Sequence, residues 1–285
     1  MSRKGSIKYQ IQQELLSICK FGESRHSAKI KGEAYKYIYS YNTFKTYLQQ
    51  LNIMVKWSKD NGIKLKNIED IRENGDKWLQ SCVEQGLSAW TITTRRAALC
   101  KLCGVPYSFF ETKMPVRKRS EIKRGRNPDA KRGFSEKLNE NQVTFCKCTG
   151  VRYHELIVLK GTDLIKKGND LYIHIRSGKG GKERFAKLYG TKEELNLCVE
   201  LANKAENNKI FPHVKRKANT HSYRAQYCKR CYVSNERDLN QLSRSEKYYC
   251  RSDKKGTVYD RKALLICSQN LGHNRLDIVP SNYLF

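Results

Sequence analysis

The chain of 285 residues carries 56 Lys+Arg against 28 Asp+Glu, a formal charge of +28. Such an excess repels itself in a compact fold and calls for a polyanionic partner, nucleic acid before an anionic membrane surface. No apolar run reaches the ~18 residues that a bilayer span needs, and Met1-Ser2-Arg3-Lys4-Gly5 leads into no apolar segment, so neither a membrane anchor nor a secretory leader is expected.

In chain order, Ile7, Ile11, Leu15 and Ile18 recur at steps of three and four and predict an amphipathic helix within residues 5–22. Arg25-His26-Ser27-Ala28-Lys29 reads as a polar connector. A second helix starts near Tyr41, carries Phe44, Leu48, Leu51, Val55 and Trp57, and ends at Asp60-Asn61-Gly62. A third is expected from Ile71 to Val83 with Trp78, Leu79 and Cys82 inward. Ser88 caps a fourth, which carries Ile92, Leu99 and Leu102 and stops at Gly104. On that helix Arg95 and Arg96 stand among Thr91, Thr93 and Thr94. The mix of cations and hydroxyls suits phosphate contacts, although a solvated face has the same composition.

Between residues 113 and 133 the composition changes. Lys113, Arg117, Lys118, Arg119, Lys123, Arg124, Arg126, Lys131 and Arg132 oppose Glu121 and Asp129, and Pro115, Gly125, Pro128 and Gly133 discourage a helix. We expect a helical unit over 1–112, a basic interdomain linker over 113–133 that straps the DNA backbone, and a second domain over 134–285.

In the second half, a helix over Glu136–Cys148 leads to Thr149-Gly150-Val151-Arg152, and a short helix is expected from Arg152 to Lys160. Leu171-Tyr172-Ile173-His174-Ile175 alternates at period two, turns through Ser177-Gly178-Lys179-Gly180-Gly181-Lys182, and returns over Glu183–Leu188 as a hairpin. Helices follow at Lys192–Asn207, Ser222–Val233 and Asp260–Asn270. The fold class read from this order is mainly α with a small antiparallel β-sheet.

Eleven cysteines, an odd number in a chain for which no leader is expected, read as reduced thiols. Cys228-Lys229-Arg230-Cys231, Cys250 and Cys100-Lys101-Leu102-Cys103 lack the further pair that a zinc site needs, so no metal is expected there.

The chemistry lies in residues that are weak signals singly. Attack on a phosphodiester builds charge on two non-bridging oxygens and requires a proton for the leaving oxygen. With no carboxylates clustered at metal-binding spacing, paired guanidiniums have to clamp the phosphate, and Arg152 and Arg224 are the candidates. His221 stands one helical turn before Arg224, on the same face. Lys179 sits on a glycine-rich tip from which an amine can protonate a leaving oxygen, with Lys182 as its competitor on the same loop. Tyr283 follows Leu271-Gly272-His273 at short range and offers a phenol able to form, and later leave, a phosphoester.

The ordered blocks Thr149-Gly150-Val151-Arg152-x-x-Glu155-Leu156, Gly178-Lys179-Gly180-Gly181-Lys182-Glu183-Arg184, His221-x-x-Arg224, Leu271-Gly272-His273 and Tyr283 resemble the tyrosine recombinase, or phage-integrase, family. The run Lys255-Gly256-x-x-Tyr259-Asp260-Arg261-x-Ala263 looks like integrases of Gram-positive mobile elements. The resemblance implies a helical core-binding domain and an α+β catalytic domain that close around double-stranded DNA. It also implies a site-specific recombinase working through a 3′-phosphotyrosine and a Holliday junction, with four protomers and no cofactor.

By that resemblance Arg152 and Arg224 are the clamp, with Glu155 supporting. Lys179 is the general acid, His221 and His273 the paired histidines, and Tyr283 the nucleophile. Arg95, Arg96, Arg117, Lys118, Arg119, Lys123, Arg124, Arg126 and Lys182 are the expected DNA contacts. The setting is the cytoplasm, on the nucleoid, with accessory DNA-bending proteins as further partners. Three departures stand out: Ala225-Gln226 follow Arg224 where a polar pair is usual, Pro280-Ser281 stand where a helix commonly presents the nucleophile, and Leu284-Phe285 follow Tyr283 where the resemblance leads one to expect a longer tail that docks on a neighbour. The alternatives are a DNA-binding accessory protein with this fold but no turnover, and a strand-relaxing enzyme of the type IB topoisomerase kind.

Overall fold

The computed structural model describes residues 5–118, 133–178 and 181–284. The chain divides into two compact units, Met1–Arg117 and Lys118–Phe285. Among the described residues no helix is long and apolar enough to cross a membrane.

The first unit is helical: α1 (Ile7–Ser17), α2 (Arg25–Ile30), α3 (Tyr41–Asp60), α4 (Ile68–Glu73), α5 (Gly75–Glu84) and α6 (Ala89–Cys103). Its long helices begin where a hydroxyl caps the first turn: Ser40 accepts from the Thr43 N–H and Ser88 from the Thr91 N–H. α6 stops at Gly104, whose φ of 62° is left-handed backbone that a side chain resists. Ile11, Leu15, Leu51, Met54, Trp78, Leu79, Ile92 and Leu99 bury their side chains in one core.

Two expectations need correction here. Residues 25–30 form the short helix α2, which buries nothing and so leaves no apolar rhythm to read. The helix expected over 71–83 is two helices, broken at Asn74-Gly75. Gly75 lies flat against the Phe110 ring, where any Cβ would collide. The backbone has to come that close for Phe110 to bury.

The second unit comprises α7 (Glu140–Thr149), α8 (Tyr153–Leu156), β1 (Leu164–Lys167), β2 (Asp170–Ile175), β3 (Arg184–Lys187), α9 (Lys192–Ala205), α10 (Thr220–Val233), β4 (Lys247–Tyr249), β5 (Val258–Asp260), α11 (Arg261–Asn270) and α12 (Ile278–Asn282). β1, β2 and β3 make an antiparallel sheet in that order, with Ile173 opposite Ala186 and Ile175 opposite Arg184. β4 and β5 pair in a second small sheet, where a single sheet was expected. The helix expected from Arg152 to Lys160 ends at Leu156.

Two cores meet along α10. Tyr223 packs with Val143, Phe145, Leu156 and Ile173 on one side. One turn on, Tyr227, Cys228 and Cys231 pack with Leu264, Leu271, Val279 and Tyr283 on the other. α10 is thereby fixed on both flanks, and Arg224 lies between the two sets. Cys228 and Cys231 spend their side chains in that core, and every cysteine is free of disulfide bonding.

Candidate active site

The site grows from a backbone constraint. α7 ends at Gly150, whose φ is 62° and whose Cα is pressed against the Tyr227 ring so that a Cβ has no room. The turn sends Val151 into the core and leaves Arg152 extended at the start of α8. There the Arg152 backbone N–H donates to Glu155 Oε2 at 2.8 Å and its Nη1 donates to Oε1 at 2.7 Å. A single carboxylate caps the helix start and orients the guanidinium.

Arg224 reaches the same place from α10. It is 2% exposed; its Nη1 donates to the Gly150 carbonyl and its Nη2 to the Leu271 carbonyl at 2.9 Å. Arg152 Nη2 donates to that same Leu271 oxygen at 3.1 Å. Both guanidiniums therefore converge on the Leu271-Gly272-His273 turn. Burial lowers the Arg224 pKa from its usual value, and the positive charge of Arg152 adds to that, while Tyr283 opposes.

The turn is closed by the Gly272 N–H on Gln269 O at 2.8 Å and the His273 N–H on Ser268 O at 2.7 Å, with Gly272 at φ 70°. Ser268 Oγ donates to the carbonyls of His273 and Arg275, both at 3.0 Å. Beyond it comes α12, five residues long. Pro280 falls in its first turn, where a missing N–H is tolerated, so the helix is short rather than broken.

Tyr283 stands at the C-terminal end of α12 and is 7% exposed. His273 Nε2 and the Tyr283 hydroxyl share a hydrogen bond of 3.1 Å, and Arg224 Nη2 donates to that hydroxyl at 3.5 Å. The His221 ring stands edge-on to the Tyr283 ring, centroids 5.7 Å apart. Of the residues singled out for chemistry, Arg152, Glu155, His221, Arg224, His273 and Tyr283 are thus gathered at one place. Lys179 lies outside the described residues. Next to it, the Gly178 N–H donates to Lys182 O at 2.8 Å, and a Cβ at Gly178 would crowd Arg184 Nη1 and Lys182 O.

Arg184, on β3, has no role assigned by the sequence reading. Its two terminal nitrogens donate to the two Glu155 oxygens, each at 2.8 Å, and its Nε donates to Asn270 O at 3.0 Å. It ties the hairpin to Glu155 and to the end of α11. Its signal is period two: it shares a face with buried Ala186, so the alternation turns this arginine inward. Burial pushes the Glu155 pKa up, yet the hydrogen bonds and charge of Arg184, then those of Arg152, outweigh it and hold the carboxyl at about 2. Three guanidiniums against one ionised carboxylate leave the cluster electropositive, which suits a phosphodiester.

The expected DNA contacts fare differently. Arg96 is 7% exposed, lies over the Tyr107 ring, and gives its guanidinium to the carbonyls of Tyr107, Thr112 and Phe110. It fastens the segment after α6 and presents no phosphate face. That is a correction, forced by the burial of the side of α6 it stands on. Asp76 grips the same segment, accepting from Glu111 N and from Thr112 N and Oγ1.

Arg95 also points into its own unit: its Nη1 contacts Cys82 Sγ at 2.9 Å, its Nε donates to Gln50, and it lies over Trp78. Arg117 is exposed beside the Trp90 ring, and Lys118 and Lys182 are exposed. Arg119, Lys123, Arg124 and Arg126 lie outside the described residues.

Comparison with known proteins agrees with this architecture. Residues 36–104 match the phage integrase N-terminal SAM-like domain. Among solved structures, the XerH site-specific recombinase bound to a palindromic difH substrate after cleavage aligns with a TM-score of 0.50 at 14% identity, over 97% of this chain and 90% of that one. The pre-cleavage XerH complex on difH gives 0.50 at 16% identity, over 98% and 91%. The Tn1549 transposon integrase with circular-intermediate DNA gives 0.47 at 11% identity, over 96% and 95%. No curated protein matches the chain by sequence. The chain has the fold of the tyrosine recombinases. Within its first unit, residues 36–104 are similar to the SAM-like domain of the phage integrases.

Proposed function

We propose that the protein is a site-specific DNA recombinase of the integrase or excisionase type, with Tyr283 as its nucleophile. The observation that carries this reading is the placement of the Tyr283 hydroxyl, 3.1 Å from His273 Nε2 and within reach of buried Arg224, in a cluster that also holds Arg152. The phenol oxygen bonds to phosphorus as the bond to the 5′ oxygen breaks. A 3′-phosphotyrosine is left on Tyr283 and the 5′ oxygen takes up a proton. Arg152 and Arg224 hold the non-bridging oxygens, His273 steadies the phenol and accepts its proton, His221 lines the phosphate, and Lys179 is the general acid. Attack by a new 5′ hydroxyl reverses the step, so the bond energy is conserved and no nucleotide cofactor is needed.

In this reading the partner is double-stranded DNA, consistent with the charge of +28. Four protomers assemble on it and exchange strands through a Holliday junction in the cytoplasm, on the nucleoid, with accessory DNA-bending proteins as helpers. Arg117, Lys118, Arg119, Lys123, Arg124 and Arg126 strap the backbone, and Lys182 contacts it beside the site.

Arg224→Ala tests the reading. Removing a preorganised clamp costs about 3 kcal/mol or more of transition-state stabilisation, at least a hundredfold in cleavage rate. Affinity for the DNA site should stay within about tenfold because many phosphate contacts share it. Abolished binding with cleavage retained reverses the assignment.

A further inference from the structure

Beyond the packing of Val279, Tyr283 and Leu284 into the core, the segment that presents Tyr283 has few backbone hydrogen bonds of its own. α12 is five residues long, and the N–H groups of Tyr283 and Leu284 both donate to a single acceptor, Val279 O, at 3.0 and 3.2 Å. A second fastening comes from elsewhere in the chain. Lys254 Nζ donates to Pro280 O and to Leu284 O, each at 2.6 Å. These carbonyls bracket Tyr283, one three residues before it and one immediately after. The loop that carries Lys254, between β4 and β5, is itself closed by the Cys250 N–H on Thr257 O at 3.0 Å and the Thr257 N–H on Lys254 O at 3.1 Å. Its base is fixed where the fully buried Asp260 accepts from Arg237 Nη2 at 2.9 Å and from the Lys262 N–H at 2.8 Å.

We propose that Lys254 is a positioning residue for the nucleophile, an ammonium clamp from the β4–β5 loop that holds the Tyr283 backbone so that its hydroxyl stays on His273 and Arg224 of the same chain. The proposal rests on the assignment of Tyr283 as nucleophile. An ammonium is suited to this task because its donors fan out and can grip two carbonyls at once, and both are charge-assisted bonds. Release of the clamp frees the segment over a short lever, so a small displacement moves the hydroxyl out of attacking range.

The test compares Lys254→Met, which keeps the stem and loses the donors, with Lys254→Arg, which keeps donors and charge. In the DNA-free protein, hydrogen exchange of the peptide covering 278–284 should speed up about tenfold in Lys254→Met, with α7 peptides unchanged and Lys254→Arg closer to wild type. With DNA, single-turnover formation of the covalent adduct should slow by about tenfold to a hundredfold while affinity stays within about twofold. Unchanged exchange in Lys254→Met overturns the clamp. So does a drop in affinity with the cleavage rate preserved, which would make Lys254 a DNA ligand. If wild-type protein forms no adduct with any DNA, the recombinase reading fails, and the exchange comparison still decides the clamp by itself.

Discussion

Glu155 shows how one residue organises a site. Buried at 1% exposure and gripped by Arg184 and Arg152, it is a carboxylate whose folded pKa, about 2, lies below its ordinary value. A group depressed in this way stabilises the fold fully above its unfolded pKa and loses that contribution as pH falls through the folded value. The depression is worth on the order of 3 kcal/mol, lost between about pH 5 and pH 2. Glu155→Gln should therefore be less stable than wild type by a few kcal/mol at neutral pH, with the gap closing as the solution is acidified. Urea unfolding at a series of pH values measures it. A gap that stays constant down to about pH 3 would mean that the carboxylate charge is not what the arginines hold.

At the scale of elements, the junction between α7 and α8 places both arginines, through Gly150. Gly150→Ala puts a methyl into the Tyr227 ring and a side chain on left-handed backbone, and it shifts the carbonyl that receives Arg224. We expect a destabilisation of about 2–4 kcal/mol, read as a lowered Tm, and a cleavage defect larger than that of a remote variant matched in Tm. Equal cleavage in the two variants would show that the junction supports stability alone.

This junction, like the ends of α3 and α6, was readable from the sequence because its signals are local: an end-of-helix glycine, a capping serine, a Gly-Val-Arg turn. The break at Gly75 was not, since its cause is the Phe110 ring, far along the chain. β4 and β5, three residues each, are too short to show alternation. Arg96 was misread because a Thr- and Arg-rich helix looks alike whichever side is buried. Arg184 acts through a carboxylate 29 residues away, and no spacing rule announces that. The order of the blocks carries more information than any one of them, and Arg152, Glu155, His221, Arg224, His273 and Tyr283, singled out by it, lie at one place in the structure.

For the molecule as a whole, the proposed function makes the excess of charge, +28, the term that sets its affinity for DNA. If the basic run over residues 113–133 straps the backbone, each phosphate that is no longer neutralised should remove about 0.9 from the slope of log K against log salt. Replacing Arg119, Lys123, Arg124 and Arg126 together by alanine should flatten that slope by about 2 to 4 and weaken binding to all sequences alike. An unchanged slope removes the strap from the account.

The most direct trial of the central claim is to find where DNA becomes attached. Wild-type protein is incubated with a randomised library of nicked duplexes, adducts that survive denaturant are recovered, and the modified peptide and the trapped DNA are both sequenced. The account predicts a 3′-phosphate ester on Tyr283, on a recurrent DNA sequence, and no adduct from Tyr283→Phe. An adduct on another tyrosine, or one that persists in Tyr283→Phe, would contradict it.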